Sequence, residues 1–178
     1  MRNRTVAVAV AFAGAWLTCA TAQEGPNLGV PATPEQVAGW DDSIGPDGAG
    51  LPRGSGTAAA GKGVYEAKCL ACHGVDGAGR PNDQLVGGQG TMRDAAPIRT
   101  IGSYWPYATT VFDYIRRAMP LVAPHSLTAD ETYAVTAYLL ALNGVIEQNA
   151  VMDATTLPKV VMPNRANFDS AYREPRRR

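Results

Sequence analysis

Residues 61–74 read GKGVYEAKCLACHG, and Cys69, Cys72 and His73 within that run decide how the rest of the chain is read. Positions i, i+3 and i+4 share one face of a helix. At a helix end, two thiols so spaced can reach the vinyl groups of a porphyrin while the imidazole that follows turns under its iron. Two cysteines three apart with a histidine directly after are the attachment pattern of c-type haem. Two other chemistries use paired cysteines. A redox dithiol needs no following histidine and usually sits after a strand. A zinc site needs further ligands, and His125, the other histidine, is a poor candidate to complete the set.

Around the motif the pattern is helical. Val64, Tyr65, Ala67 and Lys68 lead into the cysteines as a short helix, and Gly74, Gly77, Gly79 and Pro81 end it. A loop-rich middle follows, centred on Gly87-Gly88-Gln89-Gly90. From Thr109 or Thr110, the residues Val111, Phe112, Tyr114, Ile115 and Ala118 recur at helical spacing until Pro120 stops them. The last helix has Thr128 as N-cap and Glu131 as its capping-box partner. Its stripe is Val135, Tyr138, Leu139 and Leu142, ended by Asn143-Gly144. No stretch alternates long enough to demand a sheet, so the fold class is all-α.

The ends set the compartment. Arg2 and Arg4 precede an uncharged Val/Ala-rich run from Val6 to Leu17, and Ala20-Thr21-Ala22 offers small residues at a signal-peptidase spacing, the pattern of a secretory signal peptide cleaved near Ala22. The run is short of the roughly 20 residues a spanning helix needs. Cys19 is followed by a small residue, as at a lipidation site, but Trp16-Leu17-Thr18 does not supply the residues such a site wants. Cleavage would remove Cys19 and leave Cys69 and Cys72 in an oxidising compartment.

It would also move the charge from 16 basic and 16 acidic residues to 14 and 16. Four of the remaining arginines lie in the terminal REPRRR, so the body is acidic, which argues against nucleic acid as a partner. Between Gly25 and Gly56, eight glycines and five prolines are too many for a packed core and read as an arm. Thr33-Pro34-Glu35-Gln36 can start a helical turn or two within it. Trp40, Ile44 and Leu51 are isolated apolar anchors that would lay the arm on a surface; a free linker is the other reading. The organisation is then 1–22 signal peptide, 23–56 arm, 57–145 haem domain and 146–178 C-terminal extension with a basic tail.

A haem held by His73 has a second axial position to fill. Met92 is only 19 positions after His73, among Gly, Thr, Arg and Asp; Met152 and Met162 lie beyond the last helix. Met119 is 46 positions on, follows an amphipathic helix and precedes Pro120, which fixes the local backbone. Met119 is therefore the expected sixth ligand and His125 the rival, unless Pro124 and the helix start at Ser126-Leu127-Thr128 hold that histidine at the surface. A thioether ligand raises the potential, which suits an electron acceptor; an enzyme activating oxygen or peroxide would want the position open. Tyr104, Trp105, Tyr107, Phe112 and Tyr114 crowd into eleven positions, where most would wall the haem and part of the group would face a partner. Among Arg99, Arg116 and Arg117 one contact to a haem propionate is expected.

The order GKGVYEAKCLACHG, then SYWPYATTVFDYIRRAMP, then SLTADETYAVTAYLLALNGVI resembles the class I cytochrome c domain. More narrowly, GAGLPRGSGTAAAGKGVYEAKC, the aromatic block and the late LPKVVMPNR resemble the cytochrome subunit of bacterial sulfite or sulfane dehydrogenases of the sulfur-oxidising (Sox) type, over roughly Asp47 to Asn167. This chain has one haem motif where the Sox sulfane dehydrogenase cytochrome has a second haem domain, so a monohaem partner is the nearer comparison. The resemblance implies a periplasmic electron-transfer protein, not itself an enzyme, with one covalent haem c. It implies a molybdenum-cofactor dehydrogenase subunit as donor, another cytochrome or an oxidase as acceptor, and no membrane span after cleavage. Two alternatives stay open: a generic shuttle for another dehydrogenase or a terminal oxidase, and a haem enzyme or sensor with a labile sixth ligand.

Overall fold

A computed structural model describes residues 29–168; the signal-peptide expectation and the basic tail lie outside them. The chain divides after Trp40 into two compact units. In the first, α1 (Pro34–Trp40) starts from Thr33, whose hydroxyl accepts from the Gln36 N–H while the Gln36 side chain accepts from the Thr33 N–H, a reciprocal cap.

The second unit is built on α5 (Ala129–Leu142), in which every residue from Thr132 to Ala141 is buried. A helix apolar on all sides must be surrounded, and it is, by α2 (Ala58–Lys68), α4 (Ala108–Ala118) and two short strands, β1 (Ser55–Thr57) and β2 (Val151–Asp153). The strands pair antiparallel with Gly56 opposite Met152; three residues each are too few to show as alternation in the sequence. At both Gly56 and Gly61 an added Cβ would collide with the backbone of Ala134, so β1 and α2 lie directly on α5. Thr57 caps α2, accepting from the Ala60 N–H at 3.3 Å. Both halves of the expected box cap α5: the Thr128 hydroxyl accepts from the Glu131 N–H at 3.2 Å and Glu131 Oε2 accepts from the Thr128 N–H at 2.8 Å. At the far end the Gly144 and Val145 N–H groups donate to the Ala141 and Leu140 carbonyls, the pairing a left-handed glycine allows.

Much of the arm is part of this core. Ile44 is 4% exposed and Leu51 packs against the same cluster. The Ile44 N–H donates to Asp113 Oδ1 at 3.0 Å, Thr109 donates to the Pro46 carbonyl, Tyr133 to the Pro52 carbonyl, and the Ser55 N–H to Asp130. The C-terminal segment packs back as well: Met152, Leu157 and Met162 are enclosed, Asn164 donates to the Tyr104 carbonyl and the Arg165 guanidinium lies 5.1 Å from the Tyr107 ring centre. Each enclosed large apolar side chain contributes about 1.5–3 kcal/mol.

The backbone hydrogen bond from Thr128 holds the Glu131 carboxyl below its ordinary range. A carboxylate whose folded-state pKa is depressed contributes stability above its unfolded pKa and loses it as pH falls through the folded value. The urea midpoint of the native protein should therefore exceed that of Glu131→Ala at pH 6, and the gap should close as the pH is lowered toward 3.

Candidate functional site

The motif occupies its own turn. Cys69 ends α2 with φ −122°, and the separate helix α3 (Leu70–His73) follows, so the expected continuous helix is broken at the first cysteine. The Cys72 and His73 N–H groups both donate to the Cys69 carbonyl, at 3.1 and 3.0 Å, which keeps the three side chains on one turn despite the break. Two tyrosines fasten the loop beyond it. Tyr65 of α2 donates to the Gly74 carbonyl and Tyr138 of α5 to Asp76 Oδ1, both at 2.8 Å, and their rings pack at a tilt with centres 5.4 Å apart. Burial pushes both phenols up to about 12, so both are hydrogen-bond donors across the physiological range.

His73 Nδ1 lies 2.8 Å from the Asp83 carbonyl. A carbonyl accepts only, so this nitrogen carries the proton and Nε2 keeps its lone pair for a metal. Cys69 and Cys72 are free thiols. Burial, then the neighbouring Cys72, pushes the Cys69 thiol up to about 11, while Lys68 lowers it. Cys69, Leu70, Leu85, Val86, Trp105 and Met119 are all partly buried and packed against one apolar core.

Residues 56–139 match the family model described as cytochrome c oxidase, cbb3-type, subunit III. The crystal structure of the sulfane dehydrogenase SoxCD from Paracoccus pantotrophus matches at 42% identity with a TM-score of 0.76, over 81% of this chain and 71% of that one. The chain is a class I cytochrome c. Among curated proteins none matches.

A cytochrome c carries haem c, and the residues fit one. Two unpaired thiols, an imidazole whose Nδ1 is already engaged, a thioether and a set of half-covered apolar side chains would supply the attachment, ligation and lining that a porphyrin needs. In this cytochrome, burial sorts the methionines. Met152 and Met162 are core filling. Met92 lines a cavity of about 330 Å³ with Gln89, Arg93, Ser103 and Asn164 among its walls. Met119 sits at the C-cap of α4 in extended conformation, its N–H donating to the Ile115 carbonyl, with its side chain on the apolar core. His125 is exposed, with Nδ1 3.7 Å from Asp42 Oδ2, beyond hydrogen-bond distance.

The aromatic block divides three ways, where most of it was expected to wall the haem. Phe112 is enclosed and stacks on Tyr133 at 4.4 Å, because α4 turns that face to α5. Tyr104 meets Phe168 edge-on and Tyr107 holds Arg165, so these two secure the C-terminal segment. Trp105, paired with Tyr114 at 5.8 Å, is the member placed with Cys69 and Met119 on the core. Of the three arginines, Arg117 pairs with Asp113, Arg99 lies over the Tyr104 ring, and the Arg116 charge acts on the Tyr133 phenol. Sequence reasoning missed the Asp83 carbonyl, since a backbone acceptor has no residue-type signal, and it assigned Tyr65 and Tyr138 only to helices.

Replacing Tyr138 by phenylalanine removes the hydrogen bond to Asp76 and leaves the packed ring. The expected result is a loss of about 1 kcal/mol in denaturant unfolding, with the haem content of the purified protein unchanged.

Proposed function

We propose that this chain is a periplasmic monohaem cytochrome that accepts electrons from a separate molybdenum-cofactor dehydrogenase acting on a reduced sulfur compound, and passes them to a downstream cytochrome or oxidase. The observation that carries the reading is the 42% identity to the sulfane dehydrogenase SoxCD over 81% of the chain. Residues 1–22 would direct export and be removed. Among the described residues no helix is long and apolar enough to cross a membrane.

In this reading Cys69 and Cys72 would hold the haem by thioethers, and His73 and Met119 would ligate its iron. Bound haem supplies a one-electron couple at its iron. The protein's part is to set that couple and shield it. His73, with Nδ1 donating to the Asp83 carbonyl, is oriented and made more basic by that bond. Met119, a neutral thioether, favours the reduced state and raises the potential. The apolar side chains around Cys69 and Met119 exclude water and so lower the reorganisation that accompanies each transfer. The match to an oxidase-subunit family model over residues 56–139 favours one second reading, a shuttle that serves a terminal oxidase with some other donor.

Two experiments test the reading. The purified cytochrome should be reduced by its co-purifying molybdenum subunit with sulfite or a sulfane-sulfur compound as donor; reduction only by unrelated dehydrogenases would select the shuttle. Met119→Ala should leave the haem attached while changing its spin state and lowering its potential by tens of millivolts or more. An unchanged spectrum would exclude Met119 as the ligand.

A further inference from the structure

We propose that Asn143, outside the haem motif and at the far end of α5, is a positioning residue for His73. The inference rests on the haem reading above and names what holds the proximal imidazole in place. Asn143 is 7% exposed, and its side-chain amide is engaged at both ends. Nδ2 donates to the Leu139 carbonyl of its own helix at 2.8 Å and to the Leu85 carbonyl at 3.1 Å. Oδ1 accepts from the Gly87 N–H at 3.1 Å and from Gln89 Nε2 at 3.4 Å. The amide thus grips alternate residues of one stretch, and a Cβ on Gly102 would collide with it.

That stretch leads to the imidazole. The Leu85 and Val86 N–H groups donate to the Gly77 carbonyl, in the loop that follows His73. Two residues before Leu85, the Asp83 carbonyl accepts from His73 Nδ1. Residues 83–87 are therefore held on one side by the loop beyond the motif and on the other by Asn143. Helix termination accounts for only one of these bonds, Nδ2 to Leu139; those to Leu85, Gly87 and Gln89 lie outside the helix. Gly144 and Val145 also close α5 through backbone hydrogen bonds, and Gly144 takes the left-handed conformation.

A hydrogen bond from the outer ring nitrogen raises the basicity of a ligating histidine and fixes its plane. Freeing the Asn143 grip lets the Asp83 carbonyl shift and that bond lengthen. The imidazole then donates less to the iron, the oxidised state loses support, and the potential rises.

The test uses the full-length, haem-loaded protein. Asn143→Leu keeps much of the side-chain shape and removes every hydrogen bond of the amide; Asn143→Ser is the milder variant. Thr128→Ala, at the opposite end of the same helix, is the control for lost stability alone. Both Asn143 variants should raise the reduction potential and move the paramagnetically shifted ring resonances of His73. Thr128→Ala should lower the unfolding midpoint and leave both readouts where they are. Haem-loaded Asn143 variants with unchanged potential and resonances would overturn the proposal, as would a control that shifts both equally. Absence of haem from the unsubstituted protein would instead overturn the haem reading itself.

Discussion

The contact on which the remaining structure depends is the crossing of β1 and α2 over α5 at Ala134. Gly56 and Gly61 both press on that residue's backbone with no room for a side chain. This close approach has two results. It buries α5 on every side, and it brings Tyr65 and Tyr138 into tilted ring contact with both hydroxyls directed at the loop after His73. A wider crossing would separate the two rings and release Gly74 and Asp76. The motif's geometry is thus supported from beneath by a helix pair that contributes no ligand.

A second layer of support comes from outside the helices. The arm supplies enclosed Ile44 and half-buried Leu51, the C-terminal segment supplies enclosed Leu157 and Met162, and β1 and β2 tie the two together. Asp113 on α4 accepts from the arm backbone and pairs with Arg117. This anchors the helix that delivers Met119. A modest domain has limited apolar surface of its own to bury, and these extensions add to it.

Some of the site was legible because its signals are local. The spacing of Cys69, Cys72 and His73, the capping box at Thr128, the Asn143-Gly144 helix end and the proline after Met119 each act within a few residues. What escaped depends on groups without residue-type identity or on partners far along the chain. The Asp83 carbonyl is backbone. The fates of Phe112, Tyr104 and Tyr107 were set by which faces α4 and the C-terminal segment happened to meet. Ile44 reads as an isolated apolar residue, and nothing near it in the sequence shows that Asp113, tens of residues on, accepts from its backbone.

The sequence by itself determined the all-α class, the haem motif and the ordering of a methionine loop before a final helix, because those are matters of spacing and capping. Only the tertiary structure decided how the imidazole is held, which methionines are core filling, and that His125 lies at the surface. Each of these turns on the approach of segments tens of residues apart, and local pattern carries no information about such distances.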